Sequence, residues 1–478
     1  MQSPFSPKTP RKRPVLHRLT QRSIFFSTAL IAACVVSASV AAPQAHGASA
    51  LALRSAVERA LRDGPAARIA RLESEQAGNE ASAAESIYWP RAEVSSQAGY
   101  SNRLNERFEA VNAAGDVRRY GLATIGSSEG WFNFSVSQVL FDLARWTDAR
   151  RAGFEAEVAA LARAQRFEAV SYDVLEMYVG IVRLEALIAR QRERINRLQG
   201  FDARAASLLS AGRSLGSERE EVALYLRESR LELQAREDEC AGARRGLALL
   251  LGADGAETLA PLAESTLPDV GEGIAQPLVQ VETAPDVRLL AVRRKIEELR
   301  LESLQASKYP TVALGAGYSH YGAKRFDNFA DELRVGVDFR MPVFDGFRTV
   351  RSEAGATNAV SAARLRHESL IASKRVQLQN LGSQLAAAQR GVHLLAERQH
   401  LGEERIRLAE LALDTQRGSL GVAIVARREV DRVVDAIVAA RFEPILLWGA
   451  LLREAGQLAA TLTRGELPQP DEAPEHGS

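Results

Sequence analysis

The chain has 478 residues, 46% of them hydrophobic, and a formal net charge of +1, so it can bury a sizeable core and on length alone form two or three domains. Six basic residues (Lys8, Arg11, Lys12, Arg13, Arg18 and Arg22) fall among the first 50, which hold no acidic residue. The rest carries 55 basic against 60 acidic residues, a net of −5, which argues against a nucleic-acid binder.

The basic N-terminus is followed by an apolar run from Ile24 to Val40 and then by small residues such as AHGASA. This is the three-part layout of a secretory signal peptide over residues 1–50, with cleavage expected in 42–50. A transmembrane anchor is the rival reading, but the run is short for a span and is diluted by Ser27, Thr28, Ser37 and Ser39. Ile31-Ala32-Ala33-Cys34 resembles a lipoprotein cleavage box, which makes Cys34 a lipidation candidate, although the residues after it stay apolar. Cys34 and Cys240 are the only cysteines, so no disulfide framework is available and stability must come from packing or assembly.

Past the leader, the chain alternates apolar and polar residues in four places. Ala92, Val94, Ser96, Ala98 and Tyr100 share one face of a strand that begins at Pro90. Phe132, Phe134 and Val136 alternate with Asn133, Ser135 and Ser137. Val312, Leu314, Ala316 and Tyr318 alternate with Thr311, Ala313, Gly315 and Gly317, and Leu333, Val335, Val337, Phe339 and Met341 with Arg334, Gly336, Asp338 and Arg340. A period of two marks strands, and each approaches the roughly 9–11 residues of a membrane-crossing strand. Tyr88, Trp89, Tyr100 and Trp131 lie near strand ends, where interfacial aromatics are expected. Between the first two strands runs a long loop, Asn102 to Glu129.

Each strand pair leads into a long helix. No proline interrupts the chain between Pro90 and Pro261 or between Pro342 and Pro444. Phe167, Val170, Val174, Tyr178, Ile181, Leu184 and Ile188 draw one helical stripe. A helix from Asp142 to about Leu209 would be roughly 100 Å long, too long for a globular domain. Glycine-bearing turns end the long helices at Gly212, Ser214, Leu215 and Gly216, and again at Gly418, Ser419, Leu420 and Gly421; glycine suits such reversals because it reaches left-handed angles. Returning helices are expected from Glu218 to about Leu251 and from Ile424 to about Leu462. Asp142 and Asp345 suit the N-cap position of the long helices.

The order helix, strand, strand, long helix, turn, return helix is thus written twice. The first repeat spans 51–253 and the second 286–463, with a Gly-, Pro- and acid-rich linker at 254–285 and a flexible tail at 464–478. Landmarks keep the halves in register: Gly99-Tyr100-Ser101 with Gly317-Tyr318-Ser319, Phe141-Asp142 with Phe344-Asp345, and Ser214-Leu215-Gly216 with Ser419-Leu420-Gly421. Four strands cannot close a barrel alone, since the smallest single-chain barrels need about eight and lipid tolerates no open edge. Three copies supply twelve.

On these duplicated junctions, Gln138-Val139-Leu140-Phe141-Asp142 and Met341-Pro342-Val343-Phe344-Asp345, together with the glycine hairpins, the chain resembles the TolC-like outer-membrane efflux proteins over nearly its whole mature length. The resemblance implies a mainly α fold with a β-barrel part: a homotrimer whose 12-stranded barrel sits in outer-membrane lipid of a Gram-negative cell and continues as an α-helical barrel in the periplasm. Val94, Phe132, Phe134, Val136, Val312, Leu314, Leu333, Val335, Val337 and Phe339 are then expected to face lipid, and Phe141-Asp142 and Phe344-Asp345 to mark the passage into the tube. The hairpin tips are implied to form the periplasmic entrance and to dock an adaptor, the membrane fusion protein coupled to an inner-membrane ABC or proton-driven pump.

Beside those tips lie Glu218, Glu220 and Glu221 in the first repeat and Arg427 and Arg428 in the second. They are candidates for charge pairs, within or between protomers, that hold the entrance closed; the competing reading makes them solvated helix-start charges favoured by the helix dipole. Some TolC-like proteins carry a carboxylate ring at the second site, and this chain does not. No P-loop, HExxH or GxSxG motif is present, so the chain reads as non-enzymatic, without cofactor, and dependent on a partner for energy. His393 and His400 are seven apart, too far for a compact metal site. The cargo expected is a secreted protein, as in type I secretion, with drug or metal efflux as the alternative, because lipid-anchored TolC-like proteins are commoner in drug efflux and the Cys34 signal is incomplete. A periplasmic coiled-coil adaptor is the rival of another class, but it has no need for four barrel-length strands.

Overall fold

The computed structural model describes residues 51–101, 107–111, 117–121, 127–253, 281–323, 328–415 and 417–464. The expected leader with Cys34, most of the linker and the C-terminal tail lie outside them. Helix α1 (Leu53–Asp63) turns at Gly64 into α2 (Pro65–Glu85). Gly64 is required there, because a Cβ would stand 2.3 Å from the Ala60 carbonyl oxygen and 2.6 Å from that of Leu250. Strand β1 (Arg91–Ser101) follows, then β2 (Arg107–Val111), β3 (Val117–Gly121) and β4 (Ser127–Phe141). The stretch expected as a plain loop thus carries an antiparallel hairpin, β2 with β3.

The first long helix, α3 (Leu143–Ser210), has 68 residues, about 100 Å at 1.5 Å per residue. It reverses into α4 (Gly216–Leu250). The second half repeats the plan as α5 (Pro285–Ala306), β5 (Thr311–Ala323), β6 (Asn328–Arg340), α6 (Arg348–Asp414) and α7 (Leu420–Ala455). The last return helix is shorter than expected. Gly456, at φ +72°, ends α7, and the chain restarts as α8 (Leu458–Arg464). Pro444 lies inside α7, buried.

The strands form one antiparallel sheet in the order β1-β4-β5-β6, leaving β1 and β6 as edges. The apolar stripe of α3 supplies the largest share of the core. Val174, Leu175, Tyr178 and Ile181 pack with Val57, Leu247, Leu452 and Leu458 from α1, α4, α7 and α8. The Tyr178 hydroxyl donates to the Leu51 carbonyl at 2.6 Å, tying the start of the described chain to this core. A second cluster, with Leu198, Phe201, Val222, Leu420 and Ile424, holds the tip ends of the two helical hairpins together. No helix among the described residues is long and apolar enough to cross a membrane.

Helix α6 is the exception to this packing. Over a length like that of α3 it buries only Ala356, Ala363, Lys374, Leu385 and Leu413. Leu394, Leu401 and Leu408, seven residues apart, stand 52–62% exposed. On α4, Leu224 and Leu231 form a second exposed row of the same spacing.

Candidate functional site

The register of the sheet sorts its side chains into two faces. Val94 opposes Phe134, which opposes Tyr318, which opposes Leu333; Val136 leads through Ala316 to Val335, and Leu314 opposes Val337. Val312 opposes Phe339, and Phe132 lies on the same face two residues before Phe134. All the strand positions expected to meet lipid therefore share one face. Those of β6 are the most exposed, with Leu333 at 77%.

The other face is polar. Ser319 Oγ donates to Asn133 Oδ1 at 3.0 Å, and Trp131 Nε1 donates to Gln97 Oε1 at 3.1 Å. Trp131 was expected among the interfacial aromatics, but its odd position puts it on the face of Asn133 and Ser135. Toward the far end of the apolar face, Asp331 accepts from the Tyr318 hydroxyl at 2.8 Å and lies 2.6 Å from His320 Nδ1.

The two strand-to-helix junctions differ. A β-bulge between Val139 and Phe141 precedes Asp142, which is buried and caps α3 by accepting from the Arg145 amide at 3.0 Å. Phe141 packs edge-on to Trp146 at 5.5 Å. At the second junction the helix starts three residues after Asp345, because Gly346 (φ +68°) and Phe347 (φ +64°) both adopt left-handed angles. Phe347, not Asp345, is the N-cap. Asp345 still reaches the first turn, accepting from the Thr349 amide at 2.9 Å and from its hydroxyl, and these bonds hold its carboxyl below the usual range. Phe344 meets Phe347 edge-on at 5.5 Å.

At the tips, Gly212 (φ +71°) closes α3 and the Arg213 amide donates to the Leu208 carbonyl at 2.8 Å, a Schellman ending. The second turn uses its glycine differently. Gly418 is not left-handed; it lies so close to α6 that a Cβ would stand 2.9 Å from Ala412 Cβ. Ser419 caps α7 through the Val422 amide at 3.4 Å, and Leu420 is fully buried, whereas Leu215 in the first tip is 66% exposed. Gly216 and Leu420 open their helices. Ser214 Oγ is buried without a hydrogen bond.

Glu218 joins the tips. One carboxylate oxygen accepts from the Leu215 amide at 3.1 Å, the other from the Gly421 amide of the second tip at 3.3 Å. The expected pairing of Glu218, Glu220 and Glu221 with Arg427 and Arg428 does not form within the chain. Arg427 pairs with Glu410 and stacks on Phe201 at 4.7 Å; Arg428 pairs with Glu228 at 3.3 Å and stacks on Tyr225 at 4.5 Å. Glu220 pairs with Arg227, and Glu221 is exposed. The reason is reach: both arginines lie two turns into α7, level with residues of α4 and α6 that are themselves beyond the first turn.

Above the tips a buried network binds the hairpins together. Arg194 of α3, with its side chain 6% exposed, contacts Asp435 at 2.7 Å and Asp431 at 3.4 Å and donates to the Asp431 carbonyl at 3.0 Å. Asp431 accepts from the Tyr225 hydroxyl of α4 at 2.8 Å, and Arg236 of α4 donates to Asp435 at 2.9 Å. Burial works against the Arg194 charge, but Asp431 and Asp435 outweigh it and raise its pKa; burial and Asp431 push that of Tyr225 up. The sequence carried a sign of this network: Asp431 and Asp435 are four apart on a face that also holds Ile424 and Val438, and Gln191 and Arg194 interrupt the stripe of α3.

A second buried group sits at the joint of the repeats. Lys374 of α6 pairs with Asp286 at 2.8 Å and with Glu454. Nearby, the buried Glu168 of α3 accepts from the Ala459 amide at the start of α8, at 3.1 Å, and burial pushes its carboxyl up to about 7.

No family model matches the chain, and no curated protein matches it by sequence. Solved structures do. The outer membrane protein VceC of Vibrio cholerae superposes with a TM-score of 0.70 at 15% identity, over 84% of this chain and 96% of that one. The Campylobacter jejuni CmeC outer membrane channel gives 0.67 at 14% identity, over 85% and 86%. The Neisseria gonorrhoeae MtrE outer membrane channel, solved in its open state, gives 0.67 at 14%, over 84% and 88%. The chain has the fold of these outer-membrane channels. That is the TolC-like fold the duplicated junctions implied, and the match runs across both repeats. Within this fold the sheet lies at one end of the long helices and the tip network at the other.

Proposed function

We propose that the chain is the outer-membrane exit duct of a tripartite export system, resident in the outer membrane of a Gram-negative cell with a large periplasmic portion. One observation carries the reading: a four-stranded sheet with one apolar face, open at β1 and β6, runs directly into helices of about 100 Å. Lipid tolerates no open strand edge, so β6 of one copy pairs with β1 of the next, and three copies close a barrel of twelve strands. The exposed leucine row of α6 then meets the row of α4 on the neighbouring protomer, which gives α6 the partner it lacks within one chain.

At the far end, the hairpin tips around Gly212–Gly216 and Gly418–Gly421 form the entrance and the docking surface for a periplasmic adaptor, the link to an inner-membrane ABC or proton-driven pump. Arg194, Tyr225, Asp431 and Asp435 hold the two hairpins together, with the Arg427–Glu410 and Arg428–Glu228 pairs below them, and so keep the entrance narrow. Opening requires these contacts to part. The duct performs no chemistry and takes its energy from the pump.

The finer reading of cargo, a secreted protein, rests on the sequence around Cys34. Deleting the gene and comparing the culture supernatant and the sensitivity to dyes, detergents, metals and antibiotics with the parent strain tests it. Loss of a large secreted protein with unchanged sensitivity supports protein secretion; hypersensitivity with an intact supernatant makes the chain an efflux outlet. No change in either removes the export reading.

A further inference from the structure

One long helix contact joins the two repeats. Where β4 pairs with β5, the helix that leaves β4 packs along the helix that enters β5, so α3 lies beside α5. Leu289 and Leu299 of α5 are buried there, Glu302 pairs with Arg150 of α3 at 2.5 Å, and the Ser303 hydroxyl donates to the Ala144 carbonyl at 3.3 Å. Helix α2 is the counterpart of α5 in the first repeat: Pro65 and Pro285 open the two helices, and Pro90 and Pro310 follow at the same distance, just before β1 and β5. But β1 is an edge of the sheet, and so is β6, the strand that α6 leaves. Among the described residues, α6 does not pack along α2.

Both surfaces that such a contact needs are apolar and open. Ile69 of α2 stands as far before Pro90 as the buried Leu289 stands before Pro310, and Leu72 follows it on the same helical face. On α6, Ala363 is buried on the side of α5, and Leu365, two residues on, lies on the opposite side of the helix at 3.6 residues per turn. Ile69, Leu72 and Leu365 are 56–65% exposed. Their heights agree, because Ala363 lines one cavity with Leu290 and Ile296 of α5, and the counterparts of those two on α2 are Ala70 and Gln76, on either side of Leu72. Charge agrees as well. After Arg71, α2 carries Glu73, Glu75, Glu80 and Glu85 and no basic residue, while the exposed Arg351, on the face of Leu365, makes no ion pair among the described residues.

We infer that the face of α2 bearing Ile69 and Leu72 docks a second copy of this chain, whose α6 lies along it with Leu365 against the two apolar residues and Arg351 toward Glu85. The contact repeats between copies what α3 and α5 form within one. It rests on the assembly proposed above and adds to the edge strands and the tip leucines a third contact, between them in height. It also accounts for the bareness of the first half of α6, which buries only Ala356 and Ala363 before Lys374: the face turned away from α5 is reserved for the neighbouring copy.

The test is thiol cross-linking of the full chain, purified in detergent, carrying both Leu72→Cys and Leu365→Cys and treated with a short bismaleimide; Cys240 is buried, and the parent serves as control. On denaturing gels most chains are expected as covalent dimers and trimers, and neither single substitution is expected to give either band. If this pair does not assemble, Glu85→Cys with Arg351→Cys, both at exposed positions, carries the comparison. Light scattering of the same samples before cross-linking separates the two readings. Trimers that give no covalent band overturn this contact and leave the exit-duct reading standing, whereas monomers alone overturn both. Bands from a single substitution or from the parent, or a ladder that ends at the dimer, overturn the contact as well.

Discussion

At Gly456 the backbone adopts φ +72° beside Pro285, and an added Cβ would stand 2.2 Å from the proline Cδ. Both the left-handed angle and the contact oppose any side chain, so Gly456→Ala is expected to cost about 2–4 kcal/mol. The check is a lower thermal midpoint with unchanged helix content. A short distance away, Glu168 behaves as a buried acid. Its folded-state pKa of about 7 lies above the ordinary 4.5, so the unfolded chain releases this proton first as pH rises. The stability it contributes is full below about 4.5 and is lost as pH climbs through about 7, on the order of 3 kcal/mol. Glu168→Gln keeps an acceptor for the Ala459 amide and removes the titration. It should flatten the stability profile between pH 5 and 8, and make the protein more stable than the parent at pH 8.

On the scale of elements, the hairpins α3–α4 and α6–α7 are joined by few but buried polar contacts. Asp431→Asn keeps the size of the side chain and removes its charge, leaving Arg194 with Asp435 at 2.7 Å and Glu232 at 3.8 Å. Because removing one partner from a buried ion pair costs about 3–5 kcal/mol and Asp435 remains, a loss of about 1–3 kcal/mol from the contact is expected. Its measurable form is a larger open fraction in single-channel recordings, and unchanged recordings would dismiss the network as a gate. Exposed pairs such as Arg405–Glu429, 3.4 Å apart, are worth about 0–1 kcal/mol and should not matter. The leucine row of α6 makes a different prediction. Leu401→Glu places a charge in the middle of the proposed contact between protomers, so light scattering should find the proposed trimer dissociating at concentrations where the parent is intact, while Leu401→Met leaves it assembled.

For the whole molecule, the decisive feature is that one copy is unfinished. Its sheet has two open edges and an apolar face with Leu333, Val335, Val337 and Phe339 all more than 60% exposed. A charge on that face at the bilayer midplane costs about 2–4 kcal/mol. Val335→Arg is accordingly expected to reduce the amount of channel recovered from outer membranes, whereas Asp338→Ser on the opposite, polar face leaves it unchanged. Equal recovery of both would place the apolar face somewhere other than in lipid.

The sequence by itself determined the repeating plan, because local signals carry it: period-two alternation for the four strands of the sheet, long proline-free stripes for α3 and α6, and glycine at the reversals. It also put the ten expected lipid-facing positions on one face of the sheet, since side-chain direction alternates whatever the strand pairs with, but it missed the hairpin of β2 and β3. What only the tertiary structure decided depends on groups far apart in the chain. Arg194 and Asp435 are 241 positions apart and meet only because two hairpins pack side by side. Glu218 reaches Gly421 and Glu168 reaches Ala459 for the same reason. Closeness to the turns points to Glu218, Glu220 and Glu221 as partners of Arg427 and Arg428, whereas packing depth along the helices selects Glu410 and Glu228. The unequal junctions followed a local conflict that pattern does not reveal: after Pro342 the backbone needs two left-handed residues, Gly346 and Phe347, before α6 can begin.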